Sequence, residues 1–295
     1  MNLFPDNSTK LPSLPKVPGN SGCRVELIVN ESPAVRKTAL TPEYAPRLHR
    51  QRLKQQNFLA PIPGIVVPKI LEYDEVSFTM DHLFMLDAIE FLERASPAVI
   101  RARLQILFDL IHWELENSTP TEIPSQVFLD KLSSIQHSVS KGIWQRFYFR
   151  HAEAFTRIVP DVVTLPVGTC HGDLTFSNVM FSEEENCIGL TDFLDSFIDT
   201  PIVDLVKLRQ DTKYHWTSLR YPHPHDRGKV HLINTWINGM ICESFGDCID
   251  TLQFWLVEIM NFLRIAPYVH QEEDHRFLTQ VLAQIYSTQE TSRCT

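Results

Sequence analysis

The sequence predicts an α+β fold in which a small antiparallel sheet precedes a larger helical region. Three observations lead to this prediction. Apolar and polar residues alternate near the start of the chain, apolar residues recur at three- and four-residue spacing in most of the rest, and 43% of the 295 residues are hydrophobic, enough for a sizeable core. The pattern changes near residue 84, which predicts two lobes that meet there.

The first elements are a leader and a hairpin. Residues 1–20 are rich in proline, with Asn, Ser and Gly, and are predicted to form a flexible leader. The stretch CRVELIVNESPAVRKTA, residues 23–39, alternates apolar and polar residues on both sides of NESP. This pattern predicts a β-hairpin with Lys37 in its second strand.

A helix and two further strands complete the predicted N-terminal lobe, residues 21–84. The apolar residues of EYAPRLHRQRLKQQNFL lie roughly on one helical face, which predicts a helix from about Pro46 to residue 59. IVVPKILEYD and EVSFTMDHL, residues 65–83, predict two strands joined by a turn at residues 73–75.

The C-terminal lobe, residues 85–295, is predicted to be mainly helical. Apolar residues have helical spacing in AVIRARLQILFDLIHWELEN, in QVFLDKLSSIQHSVSKGIWQRFYFRHAEAFTRI and in TLQFWLVEIMNFLRIAPYV. A short hairpin is predicted across EEEN, residues 183–186.

Composition narrows the class of protein. The net charge of -9 and the lack of extended basic clusters argue against nucleic acid as a partner. Six cysteines without CxxC spacing predict neither a zinc site nor a disulfide framework, which favours a cytoplasmic location. No run of 18 apolar residues occurs, so no integral membrane segment is expected, although docking at a membrane surface stays open.

One stretch carries the residues expected to do chemistry. CHGDLTFSNVMF, residues 170–181, contains Asp173 and Asn178 just before a predicted strand, and Asp192 follows the next strand in CIGLTDFLDS. Phosphoryl transfer needs a carboxylate near the attacking hydroxyl, and Mg²⁺ prefers carboxylate and amide oxygens. We therefore expect Asp173 to orient an acceptor hydroxyl, and Asn178 and Asp192 to bind Mg²⁺.

HGDLTFSNVMF, followed by LTDFLDS and TPIVDLVKL, resembles the aminoglycoside phosphotransferase and choline kinase family, whose members are related to protein kinases. The resemblance implies a two-lobed protein kinase-like fold, with ATP and Mg²⁺ between the lobes and a small-molecule hydroxyl as acceptor. It implies that Asp173 is the catalytic base and that Asn178 and Asp192 are Mg²⁺ ligands. His171 and Asp204 would support the catalytic loop.

The same resemblance extends to the front of the chain. Lys37 in AVRKTA matches the strand lysine that binds the α- and β-phosphates, and Met80 to His82 in FTMDHL match the hinge whose backbone binds adenine. NSGCRV, with Gly19 and Gly22, matches the loop that covers the phosphates. Without the downstream motif, Lys37 would be interpreted as an exposed strand lysine.

Within this family, the chain is most similar to phosphotransferases encoded among capsular polysaccharide and nucleotide-sugar genes. The similar stretches are HGDLTFSN, DLVKLRQDTKYHW and NFLRIAPY. This likeness implies a carbohydrate or capsule precursor as the acceptor. The chain departs from those relatives where it has DFLDSFIDTP in place of a DPRG segment.

A second departure leaves alternatives open. The predicted helix 46–59 lacks the acidic residue that pairs with the strand lysine in most kinases. Gln51 or Gln55 can hydrogen-bond Lys37 without neutralising it, so a weaker hold on the lysine or another partner for it stays open. An alternative is therefore a pseudokinase-type nucleotide-binding interaction module without turnover. A third interpretation, a protein kinase, is disfavoured because no Ala-Pro-Glu follows Asp192. The acceptor, the choice between ATP and GTP, and the oligomeric state stay open.

Several polar residues have two interpretations. His171 is either a proton carrier or a residue that shapes the turn through backbone hydrogen bonds. Asp195 and Asp199 are either further metal or substrate contacts or solvated loop carboxylates. Histidines in YHWTSLRYPHPHD suggest a metal site, but their spacing and the neighbouring prolines favour a surface loop.

Overall fold

The fold was analysed in a computed structural model of the protein. It describes residues 22–29, 32–139, 143–269 and 271–293. The predicted leader, residues 1–20, and Gly19 of the predicted phosphate-covering loop lie outside the described residues. The described chain forms two compact units, one made of the residues up to His49 with Lys69–His82, the other of Arg50–Pro68 with the residues from Leu83 onward.

Ten short strands form three sheets. The strands are β1 (Cys23–Val29), β2 (Pro33–Ala39), β3 (Ile65–Val66), β4 (Ile70–Tyr73), β5 (Ser77–Asp81), β6 (Leu86–Asp87), β7 (Thr119–Pro124), β8 (Val162–Val167), β9 (Val179–Phe181) and β10 (Ile188–Leu190).

The first unit contains an antiparallel sheet with the strand order β1-β2-β5-β4. The predicted hairpin is confirmed, and Lys37 lies in its second strand, opposite Val25 on one side and Phe78 on the other. A small apolar core of Cys23, Leu48, Phe78 and Met80 packs against this sheet. Burial of these side chains stabilises the sheet, because apolar surface leaves water.

The predicted strand across IVVPKILEYD is wrong as a single element. It consists of β3 and β4, which belong to different sheets and are separated by Pro68. Proline has no backbone N–H to donate to a ladder, so a strand that contains it is interrupted. β3 pairs in parallel with β10, a pairing between residues more than 120 positions apart that local sequence patterns do not reveal.

Helices make up most of the second unit. They are α1 (Ala45–Asn57), which the first unit shares, α2 (Ala88–Arg94), α3 (Pro97–Glu116), α4 (Ser125–Ser138), α5 (Ile143–Ile158), α6 (Pro201–Thr212), α7 (Trp216–Arg220), α8 (Arg227–Ile249), α9 (Leu252–Ile265) and α10 (Glu272–Arg293). The predicted helices near residues 46–59, 98–117, 126–158 and 251–265 are confirmed, the third as the pair α4 and α5. No helix among the described residues is long and apolar enough to cross a membrane.

Two small sheets accompany these helices. One has the order β3-β10-β9-β6 and contains the predicted hairpin of β9 and β10. The other pairs β7 with β8, and the sequence analysis did not predict either strand. Pro120, Pro124 and Pro166 lie in these two strands, and proline lowers the strand signal even though it is tolerated at sheet edges.

The core of the second unit surrounds α6 and α9. Every residue of α6, from Pro201 to Thr212, is buried. The helix begins at the N-cap Thr200, whose side chain accepts a hydrogen bond from the N–H of Ile202, and Pro201 suits the first helical position because it needs no N–H partner there. A helix buried on all sides holds its charged residues against fixed partners.

Candidate active site

The HGD turn takes its shape from a glycine. Gly172 lies in the loop between β8 and β9 with φ of +87°, and a Cβ built on it would lie 2.0 Å from the carbonyl oxygen of Leu194. Only glycine fits this left-handed conformation and this close approach without strain. The N–H of Leu194 donates to the carbonyl of His171 at 3.1 Å, so the turn is joined to the segment after β10.

His171 binds backbone groups through both ring nitrogens. Its Nε2 lies 2.8 Å from the carbonyl oxygen of Thr191, and the N–H of Asp173 donates to its Nδ1 at 3.2 Å. Because a carbonyl only accepts, these partners assign a neutral ring with the proton on Nε2. The side chain is fully buried, and it connects the turn to the residue just before Asp192.

Asp204, in the first turn of α6, binds the backbone of the HGD segment. Its two carboxylate oxygens accept hydrogen bonds from the backbone N–H groups of His171 at 2.5 Å and Gly172 at 2.7 Å. Burial raises the pKa of Asp204 to about 7, and the Lys54 ammonium and the two N–H donors oppose that rise. The carboxylate thereby supplies acceptors for two buried backbone groups.

Asp173 is held at both carboxylate oxygens. Lys207 Nζ lies 3.0 Å from its Oδ1, and Asn178 Nδ2 donates to its Oδ2 at 3.0 Å. Burial alone would raise the pKa of Asp173, but the ion pair and hydrogen bond with Lys207 outweigh it and hold this pKa below the usual range. The side chain keeps 26% of its surface exposed, so a fixed carboxylate remains accessible.

Asn178 and Asp192 offer oxygen ligands from neighbouring backbone positions. The Asn178 amide also donates to the carbonyl of Asp173 at 2.8 Å, which leaves Oδ1 as its acceptor end. The Asn178 carbonyl accepts from the N–H of Thr191 at 3.0 Å, and Asp192 is the next residue. An amide oxygen beside a carboxylate is a donor set that fits Mg²⁺.

Asp192 has an unusual backbone conformation. Its φ is +61°, in the left-handed region that few residues other than glycine adopt, although Asp and Asn are enriched there. Such conformations cost free energy and are concentrated at functional sites. The side chain therefore leaves the end of β10 in a direction that a regular strand would not give.

Sequence reasoning missed two residues of α6 that contact the loop. Lys207 binds Asp173, and Asp211 accepts from the N–H groups of Phe176 at 2.6 Å and Thr217 at 2.8 Å. Burial raises the pKa of Asp211 to about 6, against the effect of these two donors. Asp204, Lys207 and Asp211 have spacing three and four, so they share one face of α6. That spacing of three charged residues within one helix was the available signal.

The two loop carboxylates left open by the sequence are paired with α1. Asp195 Oδ2 lies 2.5 Å from Arg50 Nε, and Asp199 Oδ1 lies 2.7 Å from Lys54 Nζ. Lys54 also donates to the carbonyl of Leu194 at 3.0 Å. These pairs join α1 to the segment 193–199.

Lys37, Met80 and His82 belong to the sheet unit. Lys37 is buried, with Nζ 5.9 Å from the centroid of the Phe78 ring, and Met80 is buried in β5. The N–H of His82 donates to the carbonyl of Pro33 at 3.4 Å. Their contacts with nucleotide remain predictions.

The histidines in and near the segment 214–226 contact neighbouring side chains. The His215 ring packs 4.1 Å from the His231 ring, and Asn234 Nδ2 lies 3.4 Å from His215 Nδ1. Within the part of the chain that the structure describes, no group of three or more His, Cys, Asp or Glu side chains is arranged to hold a metal ion. The predicted loop is wrong for Trp216–Arg220, which form the helix α7, and holds for residues 221–226. The prolines at 222 and 224 follow this helix and do not interrupt it, so they end the helix and do not prevent it.

A protein-family sequence model matches the part of the chain that contains the loop 170–178 and α6. The sequence model of the APH group, described as the phosphotransferase enzyme family, matches residues 120–228, less than half of the chain but including the loop and α6. No curated protein sequence matches the chain.

Solved structures resemble nearly the whole chain. An ethanolamine kinase from Plasmodium vivax is 11% identical over 95% of this chain and 84% of that chain, with a TM-score of 0.52. Choline kinase LicA from Streptococcus pneumoniae is 9% identical over 92% of both chains, with a TM-score of 0.55. A thermostable mutant of aminoglycoside phosphotransferase APH(4)-Ia, in a ternary complex with AMP-PNP and hygromycin B, is 10% identical over 92% of both chains, with a TM-score of 0.59. The chain therefore has the protein kinase-like fold that its sequence predicts, with an antiparallel sheet lobe and a helical lobe.

Proposed function

We propose that the protein is a small-molecule phosphotransferase that moves the γ-phosphoryl group of ATP to a hydroxyl of its acceptor, with Mg²⁺ as cofactor. The observation that carries this proposal is the state of Asp173: its carboxylate is bonded at both oxygens, ionised and partly exposed, beside Asn178. Such a carboxylate suits a base that positions an attacking hydroxyl. The family match at residues 120–228 supports the reaction class.

Each predicted residue has a role in this reaction. Asp173 accepts a hydrogen bond from the acceptor hydroxyl and takes its proton as the new O–P bond forms, while the bond from the γ-phosphorus to the β–γ bridging oxygen breaks and ADP leaves. Asn178 Oδ1 and the Asp192 carboxylate would hold Mg²⁺, which neutralises charge on the phosphate oxygens. Lys37 supplies a cation for the α- and β-phosphates, and the backbone from Met80 to His82 binds adenine.

The supporting residues act through the loop. His171 and Asp204 bond the backbone of the HGD turn, so they fix where the Asp173 side chain begins. Positioning of this kind supplies much of the rate in phosphoryl transfer, because the protein performs little covalent chemistry itself.

We further propose a carbohydrate or capsule precursor as the acceptor. The support is the likeness of DLVKLRQDTKYHW and NFLRIAPY to phosphotransferases encoded among capsular polysaccharide genes. The proteins of similar fold are named for ethanolamine, choline and an aminoglycoside, so the fold accommodates diverse hydroxyl compounds. The acceptor must therefore be identified by experiment.

A nucleotide-binding module without turnover is the second candidate. One observation favours it: α1 carries no acidic residue in its first turn or elsewhere, and its Arg50 and Lys54 are paired with Asp195 and Asp199. Asp173, Asn178 and Asp192 favour the phosphotransferase, because a binding module has no need for all three.

The test is transfer of γ-labelled phosphate from Mg-ATP into a fractionated extract of small metabolites. We expect label in one fraction with the parent protein and with Asp109→Ala, which removes an exposed carboxylate of α3. Asp173→Ala should lower labelling by several powers of ten. ATP binding without any labelled product would favour the binding module, and label on polypeptide would favour a protein kinase.

A further inference from the structure

We propose that Lys207 is a positioning residue of the phosphotransfer step, which fixes the orientation of the Asp173 carboxylate toward the acceptor hydroxyl. The inference rests on the proposed function and adds a residue to it. It starts from one contact, the 3.0 Å approach of Lys207 Nζ to Asp173 Oδ1.

A carboxylate on a short side chain can still rotate about its χ angles when only one oxygen is bonded. Asn178, within the loop, bonds Oδ2 of Asp173, and Lys207, on α6, bonds Oδ1. With both oxygens bonded, the Asp173 carboxylate cannot rotate. Its remaining lone pairs therefore point in a fixed direction. A displacement of about 1 Å in such a group lowers rates by roughly 100-fold, so the second bond matters for rate.

The register of α6 fixes where Lys207 lies. Asp204, one turn before it, binds the backbone of His171 and Gly172, and Asp211, one turn after it, binds the backbone of Phe176. These bonds set the rotation of α6 relative to the loop. Lys207 lies between them, and it is the one of the three that binds a side chain of the loop, that of Asp173.

Stability does not explain this lysine. Lys207 is only 9% exposed, and removing an ammonium group from water carries a desolvation cost that an ion pair offsets only in part. An apolar side chain of similar volume in a buried pair is often equally stable or more stable, provided its partner is also replaced. A buried lysine whose partner is the proposed base is therefore more readily explained by activity than by folding.

The experiment compares Lys207→Met, Lys207→Gln and Lys207→Arg with Lys213→Met. Lys213 follows the same helix and is also partly buried, but it packs over the Tyr214 ring, 4.8 Å from its centroid. The substrates are Mg-ATP and the metabolite fraction that the parent protein labels. The measurements are kcat, the KM for ATP and the melting temperature of each purified variant.

We expect Lys207→Met to lower kcat by about 100-fold while the KM for ATP changes by less than about threefold. Lys207→Arg keeps a cation and an N–H donor, so its kcat should be at least about tenfold higher than that of Lys207→Met. Lys207→Gln should lie between these two, and Lys213→Met should match the parent in kcat.

Three results would overturn the inference. A folded Lys207→Met or Lys207→Gln protein with parental kcat would show that Asp173 needs no such support. Equal kcat for the Arg and Met variants, with losses that follow their melting temperatures, would show a purely structural role. A parent that labels no fraction would remove the proposed function as well, whereas an active parent with unaffected variants would remove only the role of Lys207.

Discussion

The loop 170–178, which contains the proposed base Asp173, and the segment 193–199 are held in different ways. In the loop 170–178, buried carboxylates of α6 accept backbone N–H groups, as Asp204 does for His171 and Gly172. In the segment 193–199, carboxylates pair with long basic side chains of α1, as Asp195 does with Arg50. The first arrangement is buried and uses backbone N–H groups, whereas the second has similar distances but uses long side chains and is more exposed to solvent.

The difference indicates which part of the site is built for precision. A backbone N–H bonded to a buried carboxylate has little freedom, because both partners are attached to packed elements. A surface ion pair contributes little to stability and is weakened by salt. We therefore expect the loop to be intolerant of substitution and the segment 193–199 to be adjustable, and four predictions test this contrast.

The largest effect on activity is expected for Gly172→Ala. The added Cβ would lie 2.0 Å from the Leu194 carbonyl oxygen, at a positive φ, so the loop must move. We expect kcat to fall by at least about 100-fold and the free energy of unfolding to fall by about 2 kcal/mol or more. The control is Gly239→Ala on α8, where a Cβ has nothing within 4 Å. A Gly172→Ala protein with parental activity would break the contrast.

Asp204→Ala comes next. It leaves the N–H groups of His171 and Gly172 without their acceptor, and each such loss costs about 1–3 kcal/mol. Chemical denaturation should show a loss of about 3 kcal/mol in the free energy of unfolding. Asp211→Ala, which also removes two N–H acceptors, should lose a similar amount. Asp109→Ala serves as the exposed control, and a loss no larger than in that control would count against the fixed loop.

A smaller effect is expected in the segment 193–199. Arg50→Ala removes the ion pair with Asp195, in which the arginine side chain is 54% exposed. The free energy of unfolding should fall by less than about 1 kcal/mol at low salt, and the difference from the parent should disappear near 1 M salt. A loss that persists at high salt would show that this segment is held as firmly as the loop.

A fourth effect concerns pH and lies outside the loop, at His215 just after the end of α6. Burial, with the nearby His231, lowers the pKa of His215 to about 4, so the folded state binds fewer protons than the unfolded state between about pH 4 and pH 6.5. His215 therefore contributes stability that is present above pH 6.5 and is lost as the pH falls toward 4. His215→Asn keeps a residue type that tolerates the positive φ but cannot titrate.

The measurement is the urea midpoint of both proteins at pH 7 and pH 5. Between pH 7 and pH 5, the urea midpoint of the parent should fall further than that of His215→Asn. Other titrating groups, such as Asp204 and Asp211, are present in both proteins and so do not affect the comparison. Equal losses in the two proteins would show that His215 does not contribute to the acid sensitivity.

Local patterns in the sequence predicted the parts of the molecule that local forces determine. The first hairpin and the helix α1 follow from apolar spacing within a dozen residues. Asp173, Asn178 and Asp192 were predicted as site residues because they lie in short motifs with fixed spacing, and their roles stay predictions. The backbone bonds that bring residues 178 and 191 together were not visible in the sequence, although the order of the motifs implied them.

The remaining features depend on long-range contacts. β3 was merged with β4 because its partner, β10, lies in a distant part of the chain. Lys207 and Asp211 were passed over because a sequence does not display which face of α6 meets the loop. The pairing of Asp195 and Asp199 with α1 was equally hidden, since more than 140 residues separate these partners.

The dependence of the loop on α6 also has a consequence for how the chain folds. The carboxylates that bind the amides of His171, Gly172 and Phe176 lie 32 to 35 residues further along. Closing that span costs conformational entropy before the contacts form, so the loop reaches its final shape only when α6 docks. Hydrogen exchange at these three amides should then report the opening of α6 and the loop together, as one cooperative unit.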